Sequence, residues 1–343
     1  QETSPGASHA TSRLEYTTPL RAQSPGPSTL DRSAILFGMA QIMTVNGPID
    51  ASEMGMTLPH EHIIVDFGGA ETAGPHRYNR EEVVATMRPH VEAAMQEGFR
   101  TFVDCSPMYL ARDVHVLQTL AEQTGMRFVT NTGQYKEPYL PARTFEITAQ
   151  ELADEWIAEW EGGIEGTDVR PGFIKTAVFP NPLEPIQRKV TTAAAITSRA
   201  TGLTIGTHTA KGVPALEVIQ LLEENGVDPR KWIFIHAHQE PDVELIRMAA
   251  AAGAWIELDG LAGEDDTPIL VQLLKLLDAG YEKQIMLSHD AGWYHVGEPD
   301  GGEQKPFTPL TRSFFPLARR YGVDDDLVHT LTVENPARAF AFD

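Results

Sequence analysis

The feature that most constrains the fold is a regular alternation of short apolar runs with amphipathic segments of helical periodicity. Eight strand-length runs alternating with helices are typical of a (β/α)8 TIM barrel, an α/β fold whose active site lies at the C-terminal ends of the strands. An open doubly wound sheet is the alternative, but no Gly-rich dinucleotide fingerprint follows the first run, and eight units suit barrel closure better. The predicted strands are residues 57–67, 99–106, 127–135, 172–178, 203–209, 232–238, 254–260 and 284–290.

The length supports one barrel with short additions. The 343 residues would suit two domains at roughly 150 residues each, yet α/β barrels exceed that size as single units. Residues 1–34 are rich in Ser, Thr, Pro and Gly, which predicts a flexible N-terminal tail, and residues 35–343 form the single predicted domain. An Asn46-Gly47 pair predicts a type I′ hairpin that plugs or flanks the bottom of the barrel. The tail fits a mature N-terminus that is left after removal of an export signal, and it equally fits a chain that was trimmed. Exported and cytoplasmic locations are therefore both alternatives.

Composition narrows the partners and the kind of metal site. The net charge of −21 argues against nucleic acid and anionic membrane surfaces, because no basic block offsets it. No apolar run reaches the length of a transmembrane helix. Composition therefore predicts a small partner that is neutral or cationic. Cys105 is the one cysteine, so a metal site would have to use His and carboxylate ligands.

Ionisable residues recur at the ends of the predicted strands. His60 and His62 are two residues apart, so they project from the same face of the first strand. An HxH pair alone also fits two satisfied core histidines, but buried ionisable groups are costly unless they are paired or bound to metal. Their recurrence on several strands therefore predicts a metal site. The other members are Lys175, His208, His236, His238, His289 and Asp290.

Five motifs carry a resemblance to a known family. Each resembles one region of the phosphotriesterase family. The opening hairpin and first strand correspond to TVNGPIDASEMGMTLPHEHI, the fourth strand to GFIKTA, and the fifth strand to GTHTA. The eighth strand corresponds to LSHD and the closing helix to ENPARAF. This family of the amidohydrolase superfamily includes the phosphotriesterase-like lactonases. The resemblance extends from about Ile42 to Asp343 and indicates a divergent member. It also implies a homodimer.

The resemblance implies a binuclear metal site. An ammonium cannot ligate a cation, so the bridging lysine would have to be converted by CO2 into a carbamate. The alternative is an unmodified Lys175 in a buried salt bridge with Asp290 or Asp259. Zn is the first candidate metal, and Co, Mn and Fe also suit these ligands. The implied ligands are His60, His62 and Asp290 for the more buried ion, His208 and His236 for the more exposed ion, and Lys175 bridging both.

The sixth strand offers two histidines on the same predicted face. Counting back 17 residues from Gly253, as the family pattern does, reaches His236, although Ile235 stands where the family usually has Gly. We therefore expect His236 as the ligand. His238 and Asp259 are expected to support the ligands and to relay a proton. His289 should point away from the pocket if Asp290 points into it.

The resemblance implies a hydrolase in which a metal-bridging hydroxide attacks the substrate. Asp290 would hold the hydroxide and take its proton, with Lys175 and Tyr135 as further catalytic residues. Tyr135 stands where the lactonase branch has Tyr and the paraoxon-hydrolysing branch has Trp. Gly260 departs from both branches, which have Arg or His there. Trp293 is expected in a wall or lid, so Tyr135, Gly260 and Trp293 are the expected substrate-binding residues.

These residues lead to one expected function and two alternatives. We expect hydrolysis of a lactone or related carboxylic ester, with organophosphate triester hydrolysis as a promiscuous activity. A dedicated organophosphate triesterase is the alternative within enzymes. A non-catalytic barrel that keeps a structural metal is the alternative from another class, although the complete ligand set argues against it.

Overall fold

The computed structural model describes residues 40–263 and 265–342, so the predicted tail, residues 1–34, lies outside the described residues. Strands β1 (Gln41–Thr44) and β2 (Gly47–Asp50) form the predicted antiparallel hairpin. Its turn differs from the prediction, because Thr44 pairs with Gly47 and the central residues are Val45 and Asn46. Gly47 has a φ of +102° while the two central residues do not have positive φ. A left-handed residue directly after the turn is the pattern of a three-residue hairpin loop, so the type I′ assignment is wrong.

The eight predicted strands form the staves of a closed parallel barrel. Two staves are interrupted: the third consists of β5 and β6, and the eighth consists of β11 and of β12, which lies beyond the predicted run 284–290. β11 pairs with β10 and β12 pairs with β3, which closes the barrel. The strands are β3 (Thr57–Val65), β4 (Thr101–Asp104), β5 (Arg127–Val129), β6 (Asn131–Thr132), β7 (Phe173–Ala177), β8 (Ile205–His208), β9 (Trp232–Ile235), β10 (Trp255–Leu258), β11 (Ile285–Leu287) and β12 (Gly292–His295).

The helices follow the strands and bury one face against them. Asn79 and Asp113 begin the first two helices by accepting hydrogen bonds from backbone N–H groups, and Thr148 and Glu151 form a capping box at the fourth. Among the described residues, no helix is both long and apolar enough to cross a membrane. The helices are α1 (Arg80–Gln96), α2 (Val114–Thr124), α3 (Ala142–Glu146), α4 (Ala149–Gly162), α5 (Pro185–Thr201), α6 (Gly212–Glu224), α7 (Val243–Ala252), α8 (Thr267–Asp278), α9 (Phe315–Arg319), α10 (Asp325–His329) and α11 (Asn335–Phe340), with π-helical turns at Leu310–Phe314 and Thr330–Glu334.

The hairpin closes the bottom of the barrel. Ile42 and Met54 are fully buried in a cluster with strand residues such as Val103, Phe173 and Met286. Cys105 belongs to the same cluster and is buried. The backbone of Gln41 also exchanges hydrogen bonds with Phe342 at 3.1 and 2.9 Å. Because the N-terminal end of the barrel is filled in this way, the pocket is confined to the C-terminal end.

Candidate metal centre

The structure brings all six predicted ligands into one pocket at the C-terminal ends of the strands. The rings of His60 and His62 lie 5.5 Å apart, His60 and His236 lie 4.9 Å apart, and His208 and His236 lie 4.5 Å apart, each measured between centroids. Strands β3, β7 and β8 carry four of the ligands, and the other two directly follow β9 or lie between β11 and β12. The pocket is lined by His60, His62, Lys175, His208, His236 and Asp290, with Val65, Phe67, Leu110, Tyr135 and Trp293.

Hydrogen bonds set the orientation of two imidazole rings. The Ser106 hydroxyl donates to the Ile64 carbonyl at 2.7 Å, so it accepts from His62 Nδ1 at 2.8 Å. His60 Nδ1 lies 2.8 Å from Glu257 and 2.9 Å from Asp259. Each Nδ1 therefore carries the proton, and each Nε2 lone pair is free to bind a metal. Neither Ser106 nor Glu257 was among the residues predicted for the site.

Lys175 is buried among these rings without a carboxylate partner. Its side chain is 1% exposed, and Nζ lies 3.4 Å from His60 Nε2. Within the described part of the chain, no carboxylate lies within 4.0 Å of Nζ, so the salt bridge to Asp290 or Asp259 is not formed. The pKa of His60 is lowered to about 3, mainly by burial and secondly by the charge of Lys175, so the His60 ring is neutral. Lys175 thus presents a buried amine beside an imidazole, with no carboxylate paired to it.

The donor set fits divalent cations. Ligand atoms of His60, His62 and Asp290 all lie within 4.8 Å of one another, and so do those of His60, His236 and Asp259. Burial opposes ionisation of Asp290, but its contacts with His62 and His60 hold the pKa of that carboxyl below its usual range. Imidazole nitrogens beside an ionised carboxylate suit Zn²⁺ and similar ions.

The carboxyl groups of Asp259 and Glu257 both contact Nδ1 of His60. Burial and the neighbouring Asp259 raise the pKa of Glu257 well above its usual range. Burial acts to raise the pKa of Asp259, but His236 and His60 outweigh this effect and hold that pKa well below its usual range. Glu257 is thus the carboxyl of the pair that binds a proton more readily. The Asp259 carboxylate contacts both His60 and His236.

His236, and not His238, lines the pocket. The two do not share a strand face as expected, because β9 ends at Ile235, His236 has a φ of +62°, and residues Ala237–Gln239 form a 3-10 turn. His238 Nδ1 instead lies 2.9 Å from Asp259. A Cβ at Gly260 would come within 2.4 Å of His238 Nε2. Gly260 therefore makes room for the His238 ring, and it is not among the residues that line the pocket.

Glu61 is the most important residue that sequence reasoning missed. It lies between His60 and His62 in the chain, is fully buried, and accepts hydrogen bonds from the Ser288 hydroxyl at 2.8 Å and from the backbone N–H of Ala291 at 2.8 Å. His289 Nδ1 also lies 2.6 Å from this carboxylate. His289 therefore points away from the pocket, as expected. The signal that could have identified Glu61 is an acidic residue at the centre of a strand in which every position is buried.

Tyr135 and Trp293 both line the pocket. The Tyr135 hydroxyl lies 2.7 Å from His208 Nδ1, and burial raises its pKa well above the usual value, so the phenol is neutral. The Trp293 ring meets His62 edge to face at 6.0 Å. The Trp293 indole N–H is buried and has no hydrogen-bond partner among the described residues. It is a donor that a substrate oxygen in the pocket could satisfy.

Comparisons with known proteins match nearly the whole described chain. The model of the family described as "Phosphotriesterase family" matches residues 40–340. The chain is 31% identical over 308 residues to a protein of Saccharolobus solfataricus named aryldialkylphosphatase, covering 85% of this chain and 97% of the relative. It is 25% identical to a protein of Mus musculus named N-acetyltaurine hydrolase, covering 88% of this chain and 98% of the relative. A solved structure from work on "Molecular Engineering of Organophosphate Hydrolysis Activity from a Weak Promiscuous Lactonase Template" has a TM-score of 0.80 and 28% identity, covering 88% of this chain and 99% of that chain.

Proposed function

This chain belongs to the phosphotriesterase family, and on that premise we propose that it hydrolyses a lactone or related carboxylic ester, with organophosphate triester hydrolysis as a promiscuous activity. The observation that carries the proposal is the convergence of six metal-binding side chains on one pocket at the C-terminal end of the barrel. In TIM-barrel enzymes this end carries the active site. We also propose that the protein is a homodimer, as the family resemblance implies.

Lys175 is the residue on which a binuclear site depends. In the proposed site its deprotonated amine attacks the carbon of CO2, an N–C bond forms, and loss of a proton leaves an anionic carbamate. Lys175 is buried without a carboxylate partner. This supports the step, because carbamate formation removes a buried positive charge that no ion pair compensates. Zn is the first candidate metal, with Co, Mn or Fe as alternatives. The proposed ligands are His60, His62 and Asp290 for one ion, His208 and His236 for the second, and the Lys175 carbamate for both.

The chain's own residues orient the substrate and move the proton. When bound, the two cations supply Lewis acidity toward a carbonyl or phosphoryl oxygen and lower the pKa of a coordinated water. Asp290 is ionised and stands beside His62, so it can accept the proton of the attacking water. Asp259 and His238, 2.9 Å apart, then offer a path for that proton away from the pocket. Tyr135 and Trp293 enclose the reacting group from two sides.

The choice of substrate rests on Tyr135. It stands where the lactonase branch carries Tyr, and its hydroxyl contacts His208. The name of the Saccharolobus relative favours a second candidate, a dedicated organophosphate triesterase. A non-catalytic barrel with a structural metal would not need an open pocket above the metal ligands.

Two measurements test the proposal. Exhaustive chelation should abolish ester hydrolysis, and Zn, Mn or Co should restore it; activity that survives chelation would contradict the metal mechanism. The ratio of kcat/KM for an acyl lactone to that for paraoxon separates the two enzyme candidates. If paraoxon were preferred by about a hundredfold or more, the triesterase assignment would replace the lactonase assignment.

A further inference from the structure

Three lysines lie in or next to the pocket although the protein is strongly acidic. The net charge is −21, and the sequence contains eight lysines. One of them, Lys175, lies in the pocket, Lys136 follows the wall residue Tyr135, and Lys305 lies 4.6 Å from the ring centroid of the wall residue Trp293. Three of the eight are therefore in or next to the pocket. The Lys175 charge is lost in the proposed carbamate, so Lys136 and Lys305 are the cations that remain to attract a partner of opposite sign.

The two outer lysines flank a row of aromatic rings, which we call the aromatic arc. It consists of Tyr135, Tyr139, Phe67 and Trp293. Consecutive centroids are 5.8, 6.4 and 6.0 Å apart, all in edge-to-face geometry. Phe67 is 52% exposed, so the arc presents apolar surface to solvent at the mouth of the pocket. Such a surface suits the organic part of a small substrate.

Lys136 is the more buried of the two flanking cations. It is half-buried, and its Nζ lies 5.4 and 5.3 Å from the ring centroids of Tyr135 and Phe179. Its hydrogen bond to the Val178 carbonyl is long, at 3.4 Å. An ammonium has three N–H donors, so most of its donor capacity is unused. Within the described ranges, no carboxylate lies within 4.0 Å of it, not even that of its exposed neighbour Glu137.

The electrostatics around Lys136 agree with this geometry. Burial, and then the charge of unmodified Lys175, lower the pKa of Lys136 to about 8. Its ammonium is thus less stable than in water, and an anion placed against it would restore that stability. On the other side of the arc, Asp66 is paired with Arg77 at 2.8 Å and adds no free negative charge.

We propose that Lys136 determines specificity by binding a carboxylate of the substrate, so that the preferred substrates are esters or lactones with one carboxylate remote from the scissile carbonyl. This inference rests on the proposed hydrolase function and names its substrate class. The aromatic arc holds the organic part of the substrate, and Lys305 attracts the anion during its approach. A single negative charge is attracted locally, whereas a polyanion would be repelled by the acidic surface.

A matched pair of esters tests the role of Lys136. The probes are 4-nitrophenyl hydrogen glutarate, which is anionic, and 4-nitrophenyl methyl glutarate, which is neutral and has the same reacting bond. The metal-loaded wild type should prefer the anionic ester by about tenfold or more in kcat/KM, mainly through KM. Lys136→Met should remove most of this preference, and Lys136→Arg should keep it. Added salt should weaken it, because exposed charges are screened.

Lys275→Met is the matched control. Lys275 is exposed in the last turn of α8, at the end of the barrel opposite the pocket, and its loss should leave the preference unchanged. A wild type without preference, or a Lys136→Met variant that keeps it, would overturn the proposal. If neither ester were hydrolysed, the proposed function would be wrong. Calorimetric binding of glutarate to the wild type and to Lys136→Met would then test the carboxylate site separately. About tenfold weaker binding to Lys136→Met supports the carboxylate site, and equal binding refutes it.

Discussion

Glu61 and Ala291 are joined by a hydrogen bond of 2.8 Å from the Ala291 backbone N–H to the Glu61 carboxylate. The same carboxylate accepts the backbone N–H of His289 at 3.1 Å, so it holds the chain on both sides of Asp290. Asp290 has a φ of +53°, a left-handed conformation that costs a residue other than glycine about 1–3 kcal/mol. Glu61 therefore positions Asp290 without lining the pocket itself.

Replacing Glu61 with Gln tests this positioning. The amide presents one oxygen where the carboxylate presents two, so a backbone N–H beside Asp290 loses its acceptor. We expect kcat to fall by about 10- to 100-fold, the range typical of partners that orient metal ligands, and Tm to fall as well. Steady-state kinetics, metal analysis and thermal unfolding measure these effects. The exposed Glu122 on α2 provides the control Glu122→Gln, and a kcat equal to that of this control would refute the positioning role.

Gly260→Ala should disturb His238 without touching the pocket lining. The added Cβ would come within 2.4 Å of the His238 ring, so the ring must move away from Asp259. Because His238 and Asp259 form the proposed proton path, we expect a loss in kcat of about tenfold with little change in KM. Gly162→Ala is the control, since a Cβ there meets nothing within 4 Å. Unchanged kcat in Gly260→Ala would exclude His238 from the proton path.

Lys175→Ala and Asp290→Asn should separate metal binding from proton transfer. Loss of Lys175 removes the proposed bridging ligand, so we expect lower metal content as well as a rate lower by about a hundredfold or more. Asp290→Asn removes the base and should lower kcat by about 10²–10⁴-fold with the fold intact. Metal analysis and circular dichroism accompany the kinetics. Two tightly held ions in Lys175→Ala would contradict the bridging role.

Gly133→Ala should destabilise the barrel where residue 133, directly after β6, packs against the backbone of β7, the strand that carries Lys175. Gly133 has a φ of +106°, and a Cβ there would come within 2.3 Å of the Lys175 carbonyl oxygen. We expect the free energy of unfolding to fall by about 2 kcal/mol or more, from backbone strain and the clash together. Gly47→Ala has nearly the same φ, +102°, but open space around the added Cβ. In urea titrations it should therefore lose less stability, and equal losses would show that strain alone decides the effect.

The fold was largely predictable, because strand-length apolar runs and helical segments alternate along the chain. The ligands were predictable because the C-terminal ends of barrel strands converge. Strand periodicity could not place His238, since a left-handed residue and a 3-10 turn rotate it away from the expected face. Glu61 was missed because its backbone donors lie 228 to 230 residues away in sequence. No local pattern reveals such a contact.

The Gln41–Phe342 backbone pair also determines what can be attached to this barrel. The first and last strand-like positions of the described domain meet at the sealed end, so a peptide of a few residues would join them. New chain ends could then be opened in a surface loop without reordering the staves around the pocket. A protein joined directly to Gln41 or Phe342 would leave from the face opposite the aromatic arc. Circular permutants and tethered fusions should therefore keep free access for small molecules.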